Sequence, residues 1–427
     1  MFGFSEKVAD FCSNQIEETV ENKIRVYKYR WVVLSVFMLI VAANQLLWIT
    51  FAPITNDVAK LLNVSELQIG ILSMCFMLVF IVFSIPASWI IDKYGIRVGI
   101  GIGALLTGLF GLMRGLITED YNSILLSQIG IAIGQPFLLN AITKLSARWF
   151  PMNERATAAG LGTLAMYIGI FAGLVVTPYL VGKVGIPATL YYYGIFSVVA
   201  GLTFLFFVRE NPPTPPCRPD QEERALVVDG LKTIFKFRDF NILLFIFFIG
   251  LGIFNSVTTW IEAILEPRGF TAVEAGTAGG IMIMAGIMGA FIMPVLSDHF
   301  KKRKPYIVVA IAGATLGLAG IAFATSYWML IFSSATLGFF LLSSGPIGFQ
   351  YGAEVTYPVS EGTSNGFLLL MGQISGIAMI LGMDAFKDPK TGSMQIPLLV
   401  MLGLLFLVIF ISMFLKESKM IGSNSDE

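Results

Sequence analysis

Amide side chains occur inside long apolar stretches of the sequence, where few other polar groups are found. They are Asn44, Gln45, Gln135, Asn255 and Gln373. An amide surrounded by hydrocarbon must find hydrogen-bond partners, so it usually faces the interior of a helix bundle. Such side chains either line a site for a polar molecule or hold neighbouring helices together. The sequence leaves both interpretations open for each residue.

A tryptophan shares a predicted helix face with one of these amides, because Trp48 follows Asn44 by one helical turn. The face of an indole ring attracts cations, so Trp48 and the amides together can bind a small polar or cationic organic molecule. The alternative is that Trp48 anchors its helix at the membrane interface. Trp260, near the outer end of its helix, fits that second role better.

Ionisable residues inside the apolar stretches lie mostly near the ends of those stretches. Glu262 lies 22 residues beyond Phe240, which is about 33 Å along a helix and places it near the outer surface. Arg114 and Asp384 have similar positions. The sequence therefore predicts no carboxylate at the middle of a helix to bind a coupling proton. If helix breaks draw Glu262 inward, it becomes a candidate coupling or gating residue.

The composition requires a lipid environment. Of 427 residues, 56% are hydrophobic and only 13% are charged, whereas soluble domains carry about 25% charged residues. The net charge of zero argues against a nucleic-acid partner. Cys12, Cys75 and Cys217 are scattered and predict no disulfide framework. The only histidine, His299, cannot form a metal or haem site within the membrane by itself, so we expect no cofactor.

Twelve apolar runs have about the length needed to cross a bilayer. They are 31–53, 67–91, 97–117, 122–145, 156–181, 187–208, 240–264, 273–297, 305–324, 327–350, 362–385 and 395–415. The expected fold is all-α, with two six-helix bundles at 30–208 and 240–415. A polar middle loop at 209–239 separates them, and polar tails at 1–29 and 416–427 flank them. The polar first tail is not a cleavable signal peptide; its segment 8–26 is either an interfacial helix or a disordered tail. A short helix is expected at 222–237.

Basic residues are distributed unevenly between the two predicted sides of the membrane. Of the 28 Lys and Arg residues, 22 fall in the tails and loops on the side of the termini. This asymmetry predicts that both termini are cytoplasmic and supports an even number of spans.

The loops after the second and eighth spans carry similar charges. The first loop has the sequence DKYGIR, which begins at Asp92 and ends at Arg97. The second has DHFKKR, which begins at Asp298 and ends at Arg303. Each puts an acid at a helix end and bases in the loop, so each can latch neighbouring helix ends in one state of a moving protein. The alternative is ordinary positive charge on the cytoplasmic side. The pattern resembles the loop signature of the major facilitator superfamily, whose two halves are parallel repeats.

A stretch at 354–366, EVTYPVSEGTSNG, resembles ELTYPESEGTSSG of the feline leukaemia virus subgroup C receptor family, solute carrier family 49. The sequences RWVV at 30–33, PASWIID at 86–92, and Trp149 with Phe150 and Glu154 support the resemblance, which runs from the first span to the eleventh. Glu354 and Glu361 are expected to pair with basic loops and hold a gate, because the segment lies at the cytoplasmic end; direct contact with the substrate is the alternative.

The resemblance implies transport of choline, ethanolamine or related organic solutes, with some members linked to haem. It implies a choline pocket made of a tryptophan on the first span, glutamines on the fourth and eleventh, and a tyrosine on the seventh. Trp48, Gln135 and Gln373 match the first three. Asn255 stands in the place of the tyrosine, so part of the aromatic cage is missing, and Tyr351 is a candidate replacement.

The sequence thus predicts a membrane transporter that moves a small organic solute, with a choline-like amine or amino alcohol favoured, by alternating access as a uniporter. Other cargoes, such as an organic anion or a haem-related compound, and ion-coupled symport are the alternatives. The absence of a midplane Arg or Lys counts against an anion. An enzyme would need clustered carboxylates or a nucleophile beside a base, which the sequence does not offer. We expect a monomer in the plasma (inner) membrane.

Overall fold

The computed structural model describes residues 26–214, 216, 234–357, 359 and 361–418. Nearly all of the predicted segment 8–26 and most of the predicted helix 222–237 lie outside the described residues, as do parts of both tails and of the middle loop. Within the described ranges, the chain forms long helices joined by short turns, and no strand occurs there.

Twelve of these helices are long and apolar enough to cross a membrane, as predicted. They are α1 (Tyr29–Ile49), α2 (Glu66–Tyr94), α3 (Ile96–Leu116), α4 (Tyr121–Leu139), α5 (Arg155–Val184), α6 (Ile186–Phe207), α7 (Arg238–Thr259), α8 (Ala272–His299), α9 (Lys304–Ala322), α10 (Tyr327–Thr356), α11 (Glu361–Ala385) and α12 (Gln395–Ser412). We call α1–α6 the first half and α7–α12 the second half. Helices are favoured because hydrocarbon offers no partner to a free backbone amide or carbonyl.

The two halves begin their helices with the same devices. Ser65 at the start of α2 and Thr271 at the start of α8 each form a capping box with the residue three positions on. Asp120 caps α4 and Ser326 caps α10 through their side chains. These caps satisfy amides that the helix itself leaves unpaired. Their matching positions support a repeated six-helix unit.

We name the two membrane faces by what lies on them. The terminal face holds the described ends of the chain, the end of α6 and the start of α7, and the distal face holds the short segments that follow α1 and α7. After α1 come a turn at Ala52–Ile54 and a helix at Thr55–Leu62. After α7 comes a helix at Ile261–Leu265. The first span of each half, α1 or α7, is therefore followed by short helical segments at the distal face.

Within each half, small residues let helices approach closely. A side chain at Gly338 on α10 would come within 1.8 Å of the carbonyl oxygen of Met282 on α8. A side chain at Gly169 on α5 would come within 2.3 Å of the carbonyl oxygen of Ala42 on α1. Membrane helices lack a hydrophobic drive to associate, so packing of this kind is their main attraction.

Among the twelve long helices, the main packing between the halves is that of α2 against α11 and of α5 against α8. The closest contacts lie toward the distal face. The ideal Cβ of Gly276 on α8 would lie 2.3 Å from the Leu174 carbonyl oxygen on α5, and Glu66 forms an ion pair of 2.5 Å with Lys387. The halves are therefore closed against each other at the distal face.

Candidate functional site

Trp48 lies near the distal end of α1 and is only 6% exposed. Its indole Nε1 donates a hydrogen bond of 3.1 Å to the Ser73 carbonyl on α2. The ring belongs to a buried cluster that includes residues of both halves. The interpretation of Trp48 as an interfacial anchor is wrong, because the side chain is enclosed by protein.

Asn255 on α7 contacts the backbone of α11 directly before Gln373. The Asn255 side chain donates a hydrogen bond of 3.2 Å to the carbonyl of Gly372, the residue before Gln373. Asn255 is 9% exposed, and Gln373 is half-buried. Asn255 thus fixes the turn of α11 that carries Gln373.

The α2 helix links this pair to Trp48. Met77 lies one turn beyond Ser73, the partner of Trp48, and its sulfur would lie 2.7 Å from a side-chain carbon placed on Gly376. The Asn255 amide would lie 2.9 Å from the same carbon. The Trp48 indole of the first half and the Asn255 amide of the second half therefore lie near the same stretch of α2. Gln135, 7% exposed, lies on α4, which packs against α1 and α2.

Asn44 faces the interior of the first half. It is fully buried, and its Nδ2 donates to Thr107 Oγ1 (3.1 Å) on α3 and to the Ile131 carbonyl (3.3 Å) on α4. Gln45 donates to the Asn44 Oδ1. Asn44 thus joins three helices and lines no open space here, so its assignment to substrate binding is corrected.

Tyr351 also differs from its predicted place. It is fully buried near the terminal end of α10, and its hydroxyl donates to the Lys416 carbonyl at 2.7 Å. Trp48 lies near the distal end of α1. Tyr351 therefore cannot complete an aromatic cage around Trp48, because the two rings lie toward opposite faces.

Arg114 helps to position Trp48, a role that the sequence did not reveal. It is fully buried, and its Nη1 donates to the Leu47 carbonyl (2.9 Å) and to Gln128 Oε1 (2.8 Å). Gln128 in turn donates to the Leu72 carbonyl (3.0 Å). This network holds the carbonyls that directly precede Trp48 and Ser73. Two features of the sequence could have indicated this network. Arg114 lies within a predicted span rather than beyond its end, and Gln128 lies on the next span.

At the terminal face of the first half, the predicted gate residues have partners within that half. Asp92 pairs with Lys144 at 2.6 Å. Glu210, just after α6, accepts from the backbone amides of Ile96 (3.0 Å) and Arg97 (2.7 Å) and from the Arg148 guanidinium. Asp92 and Arg97 thus belong to separate contacts. Sequence reasoning missed Glu210, which places a negative charge at the N-terminus of α3, where helix amides attract it.

The second half repeats this arrangement. Arg303 pairs with Asp298 and, at 3.1 Å, with Glu354. Glu417, just after α12, accepts from the amides of Arg303 (2.6 Å) and Lys304 (3.3 Å) at the start of α9. Glu417 therefore corresponds to Glu210. The predicted pairing of Glu354 with a basic loop is present in the structure. The side chain of Glu361 lies outside the described residues.

Contacts at the distal face cross between the halves. Glu262, 3% exposed in the short helix beyond α7, accepts a hydrogen bond of 2.8 Å from the backbone amide of Asn56. Burial raises the pKa of Glu262 to about 7; the Asn56 amide opposes this rise, and the carboxylates of Asp57, Glu266 and Glu66 add to it. Glu262 is therefore a titratable group within the closed face.

Trp260 supports the same closure. It is fully buried, its Nε1 donates to the Ile380 carbonyl at 3.2 Å, and its ring fills the space above Gly70 on α2. The prediction that Trp260 belongs to an interfacial belt is wrong, because its ring lies between the two halves.

Comparison with known proteins identifies the family to which the chain belongs. The model of the Major Facilitator Superfamily matches residues 34–380. Solute carrier family 49 member A3 of Xenopus tropicalis is 30% identical over 389 residues, covering 86% of this chain and 80% of the relative. The choline/ethanolamine transporter FLVCR2 of Rattus norvegicus is 28% identical over 414 residues, covering 92% of this chain and 74% of the relative.

The fold also matches a solved structure. It is a bacterial homolog of the human lysosomal transporter Spinster in an inward-facing, unoccupied conformation, with a TM-score of 0.74 and 16% sequence identity over 91% of this chain and 97% of that chain. The predicted fold class and family resemblance are confirmed by these matches and by the twelve helices. This protein is a multi-pass transporter of the major facilitator superfamily and belongs, within it, to solute carrier family 49.

Proposed function

We propose that the protein carries a small organic amine or amino alcohol, with ethanolamine and choline as the first candidates. The observation that carries the proposal is that the Trp48 indole and the Asn255 amide lie near one stretch of α2, with Gln373 directly after the carbonyl that Asn255 holds. The names of relatives such as FLVCR2 point to the same solutes. Gln135 supplies a further amide from the first half.

The replacement of the family tyrosine by Asn255 suggests a preference within this class. One aromatic face contributes about 0.5–2 kcal/mol to cation binding, so hydrogen bonds must provide the rest. The Asn255 side chain already donates to Gly372, which leaves its oxygen as an acceptor. A primary ammonium can donate to such an oxygen, whereas a quaternary ammonium cannot. We therefore expect ethanolamine to be carried better than choline.

An organic anion is a weaker candidate. The one arginine buried within the described part of the first half, Arg114, already donates to Leu47, Gln128 and Thr50. Its Nη1 and Nη2 atoms are thus occupied by protein groups and serve the position of Trp48, and only its buried Nε has no partner among the described residues.

The route is alternating access as a uniporter, with the bundles 30–208 and 240–415 rocking about the site. The excess of Lys and Arg on the terminal face supports cytoplasmic termini, and the closed distal face would then make this the inward-facing state. Asp92, Arg97, Asp298, Arg303, Glu354 and Glu361 would hold the cytoplasmic helix ends during the motion. We place a monomer in the plasma membrane.

Uptake into proteoliposomes tests the proposal. Labelled ethanolamine, choline and a carboxylate of similar size are supplied to the purified protein and to two tryptophan variants. Trp48→Ala should raise the KM for amines by about 2- to 30-fold, the loss expected for one cation–π contact. Trp328→Ala, at a ring 68% exposed on α10, is the matched control and should transport normally.

Two results would contradict the proposal. One is amine uptake by the Trp48→Ala protein at the unaltered KM. The other is uptake of the carboxylate but of neither amine. The conservative Trp48→Phe variant separates the aromatic face from the hydrogen bond to Ser73, and it should keep part of the affinity.

A further inference from the structure

A groove of about 440 Å3 lies at the terminal end of α7, beside α12. Its lining residues are Lys236, Arg238, Asn241, Ile242, Phe245 and Ile411. The polar members are exposed and stand at the first turn of α7 or just before it, and the apolar members are half-buried. Along α7, the wall therefore changes from charged at the membrane surface to apolar within the membrane.

The two cations of the groove are free to bind an anion. Neither Lys236 nor Arg238 forms a hydrogen bond or ion pair with the described part of the chain. The nearby carboxylate of Asp239 accepts instead from the backbone amide of Lys416, at 3.3 Å. Asp239 is the acid of the first turn of α7, but no acid in the described residues forms an ion pair with Lys236 or Arg238.

The start of α7 adds a second attraction for an anion. Its N-cap residue, Phe237, makes no side-chain hydrogen bond to the first turn. The amides of that turn therefore remain available, and helix N-termini with available amides bind phosphate groups. Asn241 donates to the Phe235 carbonyl at 2.8 Å, which fixes the backbone before the helix.

We propose that this groove binds an anionic phospholipid of the membrane leaflet at the terminal face. The phosphate lies between Lys236, Arg238 and the first amides of α7, and an acyl chain lies along Ile242, Phe245 and Ile411. A soluble phosphate would use only the charged part, so the apolar wall favours a lipid. Basic pockets between helix ends are known to recognise such headgroups. The proposal does not depend on which solute is transported.

The test uses the purified full-length protein in a neutral detergent. Dioctanoyl phosphatidylserine, dioctanoyl phosphatidylcholine and inorganic phosphate are titrated separately, with thermal unfolding and native mass spectrometry as readouts. Phosphatidylserine should raise the unfolding temperature and remain bound in the mass spectrum. The other two ligands should do neither.

Variants locate the binding site. Lys236→Gln together with Arg238→Gln should weaken phosphatidylserine binding by about 10- to 30-fold. Lys301→Gln together with Lys302→Gln removes the same charge from exposed positions of the same face and should bind as the unaltered protein does. Ile411→Trp fills the apolar wall and should weaken binding without changing a charge.

Three results would overturn the proposal. Equal binding of phosphatidylcholine would show that charge plays no part, and equal stabilisation by inorganic phosphate would identify a soluble-anion site. Unchanged binding by both the double variant and the Ile411→Trp variant would place the lipid elsewhere.

Discussion

The two faces of the membrane bundle use charged residues in different ways. At the terminal face, the ion pairs of the described residues join helices within one half, as with Asp92–Lys144 and Arg303–Glu354. At the distal face, Glu66–Lys387 and the Glu262–Asn56 hydrogen bond join the two halves. Contacts within a half can persist while the halves move, whereas contacts between halves must break. The terminal clusters therefore stabilise each half. The distal contacts stabilise the conformation in which the distal face is closed.

Cross-linking gives the largest expected effect on this comparison. In a chain whose Cys12, Cys75 and Cys217 are replaced, Glu66→Cys with Lys387→Cys is joined by a short thiol-specific cross-linker. Transport should fall to background, because the distal face can no longer open, and reduction of the linker should restore it.

The matched control joins Asp92→Cys to Lys144→Cys within the first half. That linked protein should still transport, because its two sites move together. Equal inhibition by both cross-links would show that the terminal pair also crosses a moving boundary, and the contrast between the faces would be lost.

Removal of Arg303 should cost the most stability among the charge deletions. Arg303 and Glu354 have side chains only 8% exposed, so Arg303→Gln leaves a nearly buried carboxylate without its cation, at a cost of about 3–5 kcal/mol. Lys387→Gln breaks a more exposed pair, whose side chains are 18% and 28% exposed, and should cost about 1 kcal/mol or less. Thermal unfolding of both variants measures the difference, and equal losses would argue against a stabilising role for the terminal cluster.

The distal face should respond to pH through Glu262. In the closed state burial raises its pKa to about 7 from the ordinary 4.5, and in an open, hydrated state the pKa should return toward 4.5. The closed state then binds the proton more tightly, so closure is favoured fully below about pH 4.5, and this advantage is lost as the pH rises through about 7.

The measurement is the labelling of Ala263→Cys, a buried position at this face, with a membrane-impermeant thiol reagent between pH 5 and 8. Its rate is divided by that of Thr391→Cys, an exposed position on the same face, to remove the intrinsic pH dependence of thiols. The ratio should rise with pH, and Glu262→Gln should flatten it. A rising ratio in Glu262→Gln would assign the effect to another group.

The smallest effect should come from a distal residue that does not cross between the halves. Thr271 caps α8 within its own half, so Thr271→Ala should lower stability by about 1 kcal/mol. The labelling ratio at Ala263→Cys should stay unchanged, since no contact between halves is removed. A changed ratio would mean that caps as well as bridging contacts control closure.

Much of the architecture follows from local sequence. The length of an apolar run decides whether it can span the membrane, and the backbone must then be helical, so all twelve spans were predictable with errors only at their ends. The charges of DKYGIR and DHFKKR and the EVTYPVSEGTSNG stretch indicated the superfamily and the solute carrier family. The spacing of Trp48 from Asn44 made it a candidate substrate-binding residue, and its burial is compatible with that proposed role.

Only the tertiary structure decided what each polar residue contacts. Asn44 and Asn255 are both amides within apolar spans, yet one joins helices inside the first half and the other fixes the turn before Gln373. Glu262 and Asn56 lie 206 residues apart in the chain, and Glu210 meets Ile96 across 114 residues. Periodicity gives the face of a helix on which a residue lies, but its partner depends on the rotation of that helix against neighbours that are distant in sequence.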